Sequence, residues 1–183
     1  MQIPDTNLPQ PRRRSPVGTA AAAVGLVVVL LLGYSLLTGP SSAPLPGSKV
    51  PSFQLTAFDG TAMALNGQPG QVVVVNFFAS WCSPCREEAG DLEAIWQDYR
   101  ERDVQFYAIA YKDATSKARA FVDEFGITFP SSADTGNRIA RAYGVTGVPE
   151  TFVIDRQGLL VRHFLGSVSS GELAQALEEA LTR

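Results

Sequence analysis

Residues 71–85 read Gln71-Val72-Val73-Val74-Val75-Asn76-Phe77-Phe78-Ala79-Ser80-Trp81-Cys82-Ser83-Pro84-Cys85. Four consecutive valines followed by Asn76-Phe77-Phe78 form the apolar, β-branched run of a central strand covered on both faces. Both cysteines of the chain come directly after it. Beyond them Leu92, Ile95, Trp96 and Tyr99 fall at i, i+3, i+4 and i+7, one stripe of an amphipathic helix. The stretch reads as strand, turn and helix, with a Cys-x-x-Cys pair at the turn.

The flanks extend that pattern. Phe53-Gln54-Leu55 and Met63-Ala64-Leu65 flank the turn signal Asp59-Gly60, which predicts an opening β-hairpin. Val104 to Tyr111 is a second apolar strand. Ala118, Phe121, Val122 and Phe125 repeat the helical spacing, with Gly126 placed as a C-terminal cap. Ile139 to Tyr143 predicts a short helix ending at Gly144. Thr151 to Ile154 and Leu159 to Leu165 flank Asp155-Arg156-Gln157-Gly158 as a second hairpin. Ser169 and Glu172 form a capping box ahead of Leu173, Leu177 and Leu181 on a final helix. Alternating strands and helices with a closing hairpin predict an α/β domain over residues 52–183, a mixed sheet with flanking helices. Gly60, Gly67 and Gly70 are turn glycines, and no phosphate-binding or dinucleotide glycine pattern is visible.

The first 43 residues differ from the other 140. They hold three of the 15 basic and one of the 18 acidic residues, so the remainder carries 12 basic and 17 acidic groups. That balance disfavours phosphate binding and argues against a nucleic-acid partner. Arg12, Arg13 and Arg14 precede a charge-free run from Val17 to Leu37. A helix of that length reaches about 30 Å, the thickness of a bilayer's hydrocarbon core. A cleaved signal peptide is the competing reading, but its apolar region spans only about 7–15 residues. Ser41-Ser42-Ala43, the one small-residue cleavage motif, is followed by Pro44. The division is therefore a cytoplasmic tail (1–15), a transmembrane anchor (16–37), a Pro/Gly/Ser-rich linker (38–51) and the folded domain. The arginines stay inside, which puts the domain on the extracytoplasmic side of the cell membrane.

Three readings of Cys82 and Cys85 compete. A structural disulfide closing so short a ring constrains the unfolded chain little. Half a zinc site runs short of ligands, because two cysteines and His163 supply one fewer soft ligand than a structural zinc needs. A reactive dithiol fits the context: Cys82 stands at a helix N-terminus, where unpaired N–H groups and the helix dipole favour a thiolate. Cys85, one turn on, is placed to attack a mixed disulfide formed at Cys82. His163 reads as exposed on an edge strand beside Arg162, while Trp96, Phe121 and Phe125 fit core positions.

The motif and its context resemble the thioredoxin superfamily. Asn76-Phe77-Phe78-Ala79-Ser80-Trp81-Cys82 is similar to the segment leading into the cysteines of the membrane-tethered thiol–disulfide reductases ResA, TlpA and CcmG (DsbE). Gly147-Val148-Pro149-Glu150-Thr151-Phe152-Val153-Ile154-Asp155 resembles the CcmG-type segment, and so does Tyr111-Lys112-Asp113. The resemblance spans about residues 50 to 183. It implies a thioredoxin-like fold, with Pro149 as a cis-proline facing the cysteines. It also implies a substrate groove from Trp81, Ser83, Pro84, Thr146, Gly147, Val148, Pro149 and Glu150.

The same resemblance implies Glu88 as the acid/base partner of Cys85 and Glu150 as a second acidic residue of the groove. Asn76 occupies a position where cytoplasmic thioredoxins carry a buried aspartate. A carboxylate near the dithiol opposes thiolate formation and, when partly buried, acquires a raised pKa. The implied activity is disulfide reduction in client proteins, with apocytochrome c as the client. Its electrons would come from a membrane donor of the CcdA or DsbD type, with no cofactor or metal beyond the Cys82–Cys85 disulfide. The rivals are a general periplasmic reductase, a dithiol oxidase, a peroxidase, and a copper or apoprotein carrier. The copper carriers of the superfamily use Cys-x-x-x-Cys plus histidine. A peroxidase would want a lone cysteine at the helix start.

Overall fold

The strand that opens the motif becomes β3 (Val72–Phe78), every residue of which is buried. The computed structural model describes residues 25–31, 33, 42–67 and 69–183. Around β3 the chain runs β1 (Phe53–Thr56), β2 (Ala62–Leu65), β3, α1 (Ser83–Tyr99), β4 (Val104–Ala110), α2 (Thr115–Glu124) and β5 (Ser131–Ala133). It continues through α3 (Arg138–Ala142), β6 (Glu150–Ile154), β7 (Leu160–Leu165) and α4 (Ser170–Leu181). The main sheet has the order β5-β4-β3-β6-β7. β3, β4 and β5 run parallel, whereas β6 and β7 are antiparallel to their neighbours. β1 and β2 form the expected separate hairpin.

The period of two along β3 explains its central place. Val72, Val74 and Phe78 pack on one face with Leu92 and Ile95 of α1, Phe121 of α2, and Leu173 and Leu177 of α4. Val73, Val75 and Phe77 pack on the other with Met63, Leu65, Tyr143 and Phe152. Burying each large aliphatic side chain stabilises the fold by roughly 1.5–3 kcal/mol, so a strand that feeds two cores is the hardest element to displace. Tyr143, fully buried, donates its hydroxyl to Pro51 O at 2.9 Å and ties α3 to the segment before β1.

Most element expectations hold within a residue or two. Gly158 in the second hairpin donates to Asp155 O, and the capping box of Ser169 and Glu172 closes in both directions. β5 was not expected, because Ser131-Ser132-Ala133 lacks the apolar content of a strand. Pairing with Ala108 to Ala110 of β4 makes it one.

The expected tail (1–15) lies outside the described residues, as do residues 16–24, 32 and 34–37 of the expected anchor and 38–41 of the linker. Residues 25–31 and 33 are helical, and Leu26 through Leu31 are exposed. Among the described residues no helix is long and apolar enough to cross a membrane. This segment belongs to a unit separate from Pro40–Arg183.

Candidate active site

Where β3 ends, Ala79 O accepts the N–H of Cys82, and the chain turns into α1. Cys82 is the N-cap residue in extended conformation, with Pro84 in the first turn, where its missing N–H costs the helix nothing. The Sγ of Cys82 takes the place of a capping oxygen and accepts the Cys85 N–H at 3.1 Å. Cys82 and Cys85 are joined as a disulfide, with Cα atoms 5.3 Å apart. Their burial is nearly equal, 3% and 2% exposed, so accessibility does not separate their roles. Position does. Cys82 Sγ is the sulfur at the positive end of the helix and the one receiving a backbone N–H, which lowers the cost of a thiolate there.

The other wall comes from a remote part of the chain. Val148 O lies 3.5 Å from Cys82 Sγ across 66 residues of sequence. The Val148–Pro149 peptide is cis, as the resemblance implied. A shallow groove of about 330 Å³ runs alongside, lined by residues 146–150, Leu165 and Gly166. On the cysteine side Trp81, Ser83 and Pro84 are exposed. Trp81 has 60% of its surface in solvent and donates Nε1–H to Lys112 O at 3.2 Å. Asp113 secures the same turn by accepting the Ser80 N–H at 2.6 Å. These two contacts give Tyr111-Lys112-Asp113 a physical role that the sequence alone did not reveal.

Glu88 lies one helical turn past Cys85 and is 4% exposed. Its Oε1 accepts from Asn76 Nδ2 at 3.1 Å and its Oε2 from the Val168 N–H at 2.9 Å. Burial pushes this carboxyl up to about 7, against the lowering effect of those two donors. Its own helix, β3 and the segment before α4 enclose it. Asn76 hands its second N–H to Thr151 Oγ1 at 2.9 Å, so the amide links α1 to β6.

Glu150 behaves differently. It is buried, 2% exposed, which alone would raise its pKa. Hydrogen bonds from His163 and from the Thr146 and Gly147 N–H groups outweigh burial and hold it below the usual carboxylate range. A raised pKa, the general expectation for an acid near the dithiol, therefore applies to Glu88 and not to Glu150. The reading of His163 as exposed is likewise overturned. Its ring stacks on Phe152 with centroids 4.0 Å apart, and Nε2 sits 2.8 Å from Glu150 Oε2. Alternation along β7 fixes which face His163 takes, but a partner arriving from β6 is not visible in local sequence.

The sequence profile of the AhpC/TSA family matches residues 46–163.

The chain belongs to the AhpC/TSA family.

It is 29% identical to the thiol-disulfide oxidoreductase ResA of Geobacillus thermodenitrificans over 156 residues, covering 84% of this chain and 90% of that one. ResA of Bacillus anthracis is also 29% identical, over 73% and 77%. A thiol:disulfide interchange protein of the thioredoxin family from Chlorobium tepidum superposes with a TM-score of 0.67. The two are 29% identical, and the match covers 77% of this chain and 99% of that one. A secreted Mycobacterium tuberculosis disulfide oxidoreductase homologous to DsbE, at 22% identity and a TM-score of 0.63, supports the fold alone. The fold is thioredoxin-like. With a Cys-x-x-Cys disulfide at its strand-to-helix junction, the family member is an enzyme of thiol–disulfide exchange.

Proposed function

We propose that the protein is a membrane-anchored, extracytoplasmic reductase of disulfides in client proteins, with apocytochrome c as the client. The observation that carries the reductive direction is the buried Glu88 beneath Cys85. A carboxylate in that position raises the cost of a neighbouring thiolate. Because the reduced dithiol is the form that gains thiolate character, this favours the disulfide and makes the dithiol the better electron donor.

The exchange runs in two steps. The Cys82 thiolate attacks a client disulfide, forming a mixed disulfide and releasing one client thiolate, which takes a proton. Cys85 then gives its proton to the Glu88 carboxylate and attacks Cys82 Sγ. The mixed bond breaks, the second client sulfur leaves as a thiolate that takes up the proton held by Glu88, and the Cys82–Cys85 disulfide remains. Two electrons have passed to the client, and the disulfide itself is the redox group, so no further cofactor takes part. A membrane electron carrier of the CcdA or DsbD type would restore the dithiol. The names of the relatives support exchange chemistry; the apolar, exposed helical residues 26–31 support the anchor. A peroxidase built on a lone cysteine is disfavoured by the bond from Cys82 to Cys85.

The test is the equilibrium of Cys82/Cys85 against a glutathione or dithiothreitol buffer. A potential near that of thioredoxin, about −270 mV, is expected, and one near the strongly oxidising value of about −120 mV would overturn the reductive assignment. Cys85→Ser should accumulate a Cys82-linked client adduct, whose partner chain names the client. Recovery of the same adducts from Cys82→Ser would reverse the two roles.

A further inference from the structure

The groove wall opposite the cysteines rests on one carboxylate, and that carboxylate rests on a histidine from the edge strand. Glu150 Oε1 accepts the N–H groups of Thr146 at 2.9 Å and Gly147 at 3.1 Å. These are the two residues immediately before Val148, whose carbonyl lies 3.5 Å from Cys82 Sγ. Glu150 Oε2 has a different neighbour, His163 Nε2 at 2.8 Å, and among the described residues it has no other hydrogen-bond partner. His163 is in turn held flat against Phe152, and its side chain is 13% exposed.

We propose that His163 is a positioning residue for client binding: it fixes the Glu150 carboxylate, which holds residues 146–148 in the shape that receives the client chain. The physical reason is the cost of an unpaired buried acceptor. Without the imidazole, Oε2 has no donor within the fold, and the carboxylate relieves this by turning toward water. Turning it releases the Thr146 and Gly147 N–H groups, and the Val148 carbonyl loses its fixed place beside the sulfur. A client chain must then order the loop as it binds, and that cost falls on association and not on the sulfur chemistry. Phe152 is unaffected as long as an aromatic ring still covers it.

The inference rests on the exchange reaction proposed above, and the test keeps the two apart. The whole protein is assayed in reduced form with two oxidants, a disulfide-bonded peptide that occupies the groove and the small aromatic disulfide DTNB. His163→Phe keeps the stacked ring and removes the donor; His163→Gln restores a donor at similar reach. His163→Phe should raise KM for the peptide about tenfold, the worth of one hydrogen bond to a charged acceptor. Its kcat and its DTNB rate should stay within about twofold of wild type, and His163→Gln should recover most of the peptide KM.

An unchanged peptide KM in His163→Phe, an equal loss with both oxidants, or a Gln variant as impaired as Phe would each overturn the role. A wild-type protein that reduces neither oxidant would sink the exchange reading. Hydrogen exchange at the Thr146 and Gly147 amides then decides the positioning role independently, with faster exchange in His163→Phe supporting it and unchanged exchange refuting it.

Discussion

The side-chain amide of Asn76 donates to Glu88 across 3.1 Å and to Thr151 across 2.9 Å, so one residue of the central strand joins the cysteine helix to the strand that follows the groove. All three side chains are buried. A network of this kind is rigid while every member is satisfied, and it makes the charge of Glu88 sensitive to what its neighbours carry.

The pH dependence of stability follows from that carboxyl. Glu88 titrates at about 7 in the folded chain against a model-compound value of 4.5. A carboxyl raised on folding contributes stability that is complete below pH 4.5 and is lost as the pH rises through 7. The loss between those limits is on the order of 3 kcal/mol. Glu88→Gln should remove that slope, since Asn76 can turn its amide over to meet a neutral partner. Urea unfolding at pH 4.5 and pH 8 checks this; a variant as pH-sensitive as wild type would contradict it.

Asn76→Asp places a second carboxyl against Glu88. Two acids at hydrogen-bond distance hold one proton between them, which drives the upper titration of the pair above 7. We expect the pH profile for resolution of a Cys82 mixed disulfide to move upward by about one unit or more. Stopped-flow release of a chromogenic thiol over pH 5–10 measures it, and an unmoved midpoint would count against Glu88 as the proton acceptor.

We expect Trp81 to serve client binding more than the fold. Its ring is largely in solvent and is tethered through Lys112 O. Trp81→Ala should change stability by no more than about 0.5 kcal/mol. The loss of an exposed aromatic contact should raise KM for a peptide disulfide at least about threefold. Melting curves set beside peptide kinetics test both halves, and a large drop in melting temperature would show that the ring is structural.

Gly144 follows α3 at φ +66°, and a methyl group there would run into the backbone of Ala43. Gly144→Ala combines a left-handed backbone with a backbone clash, and a cost of at least about 2 kcal/mol is expected. Thermal unfolding reads it directly. A variant as stable as wild type would mean that residues 42–43 do not pack there.

The framework was legible because it is written locally. The run from Val72 to Phe78, the stripe of Leu92, Ile95, Trp96 and Tyr99, and the capping box at Ser169 each declare themselves within a few residues. The cysteines did so too, through their place after a buried strand. What the sequence concealed is polar and distant. Val168 donates its N–H to Glu88 from 80 positions away, and Asp113 reaches back 33 residues to hold Ser80. His163 looked exposed because an edge strand seldom buries a polar ring, and its partner Glu150 arrives from the neighbouring strand. Ser131-Ser132-Ala133 became a strand only because β4 offers it unpaired backbone groups.

The sulfur and the carbonyl facing it belong to the two ends of a 66-residue excursion that closes only when β6 docks beside β3. Specific electron exchange is thereby made a privilege of the finished molecule. A nascent or partly melted chain would still own two cysteines, but it would have no groove with which to select whom they touch.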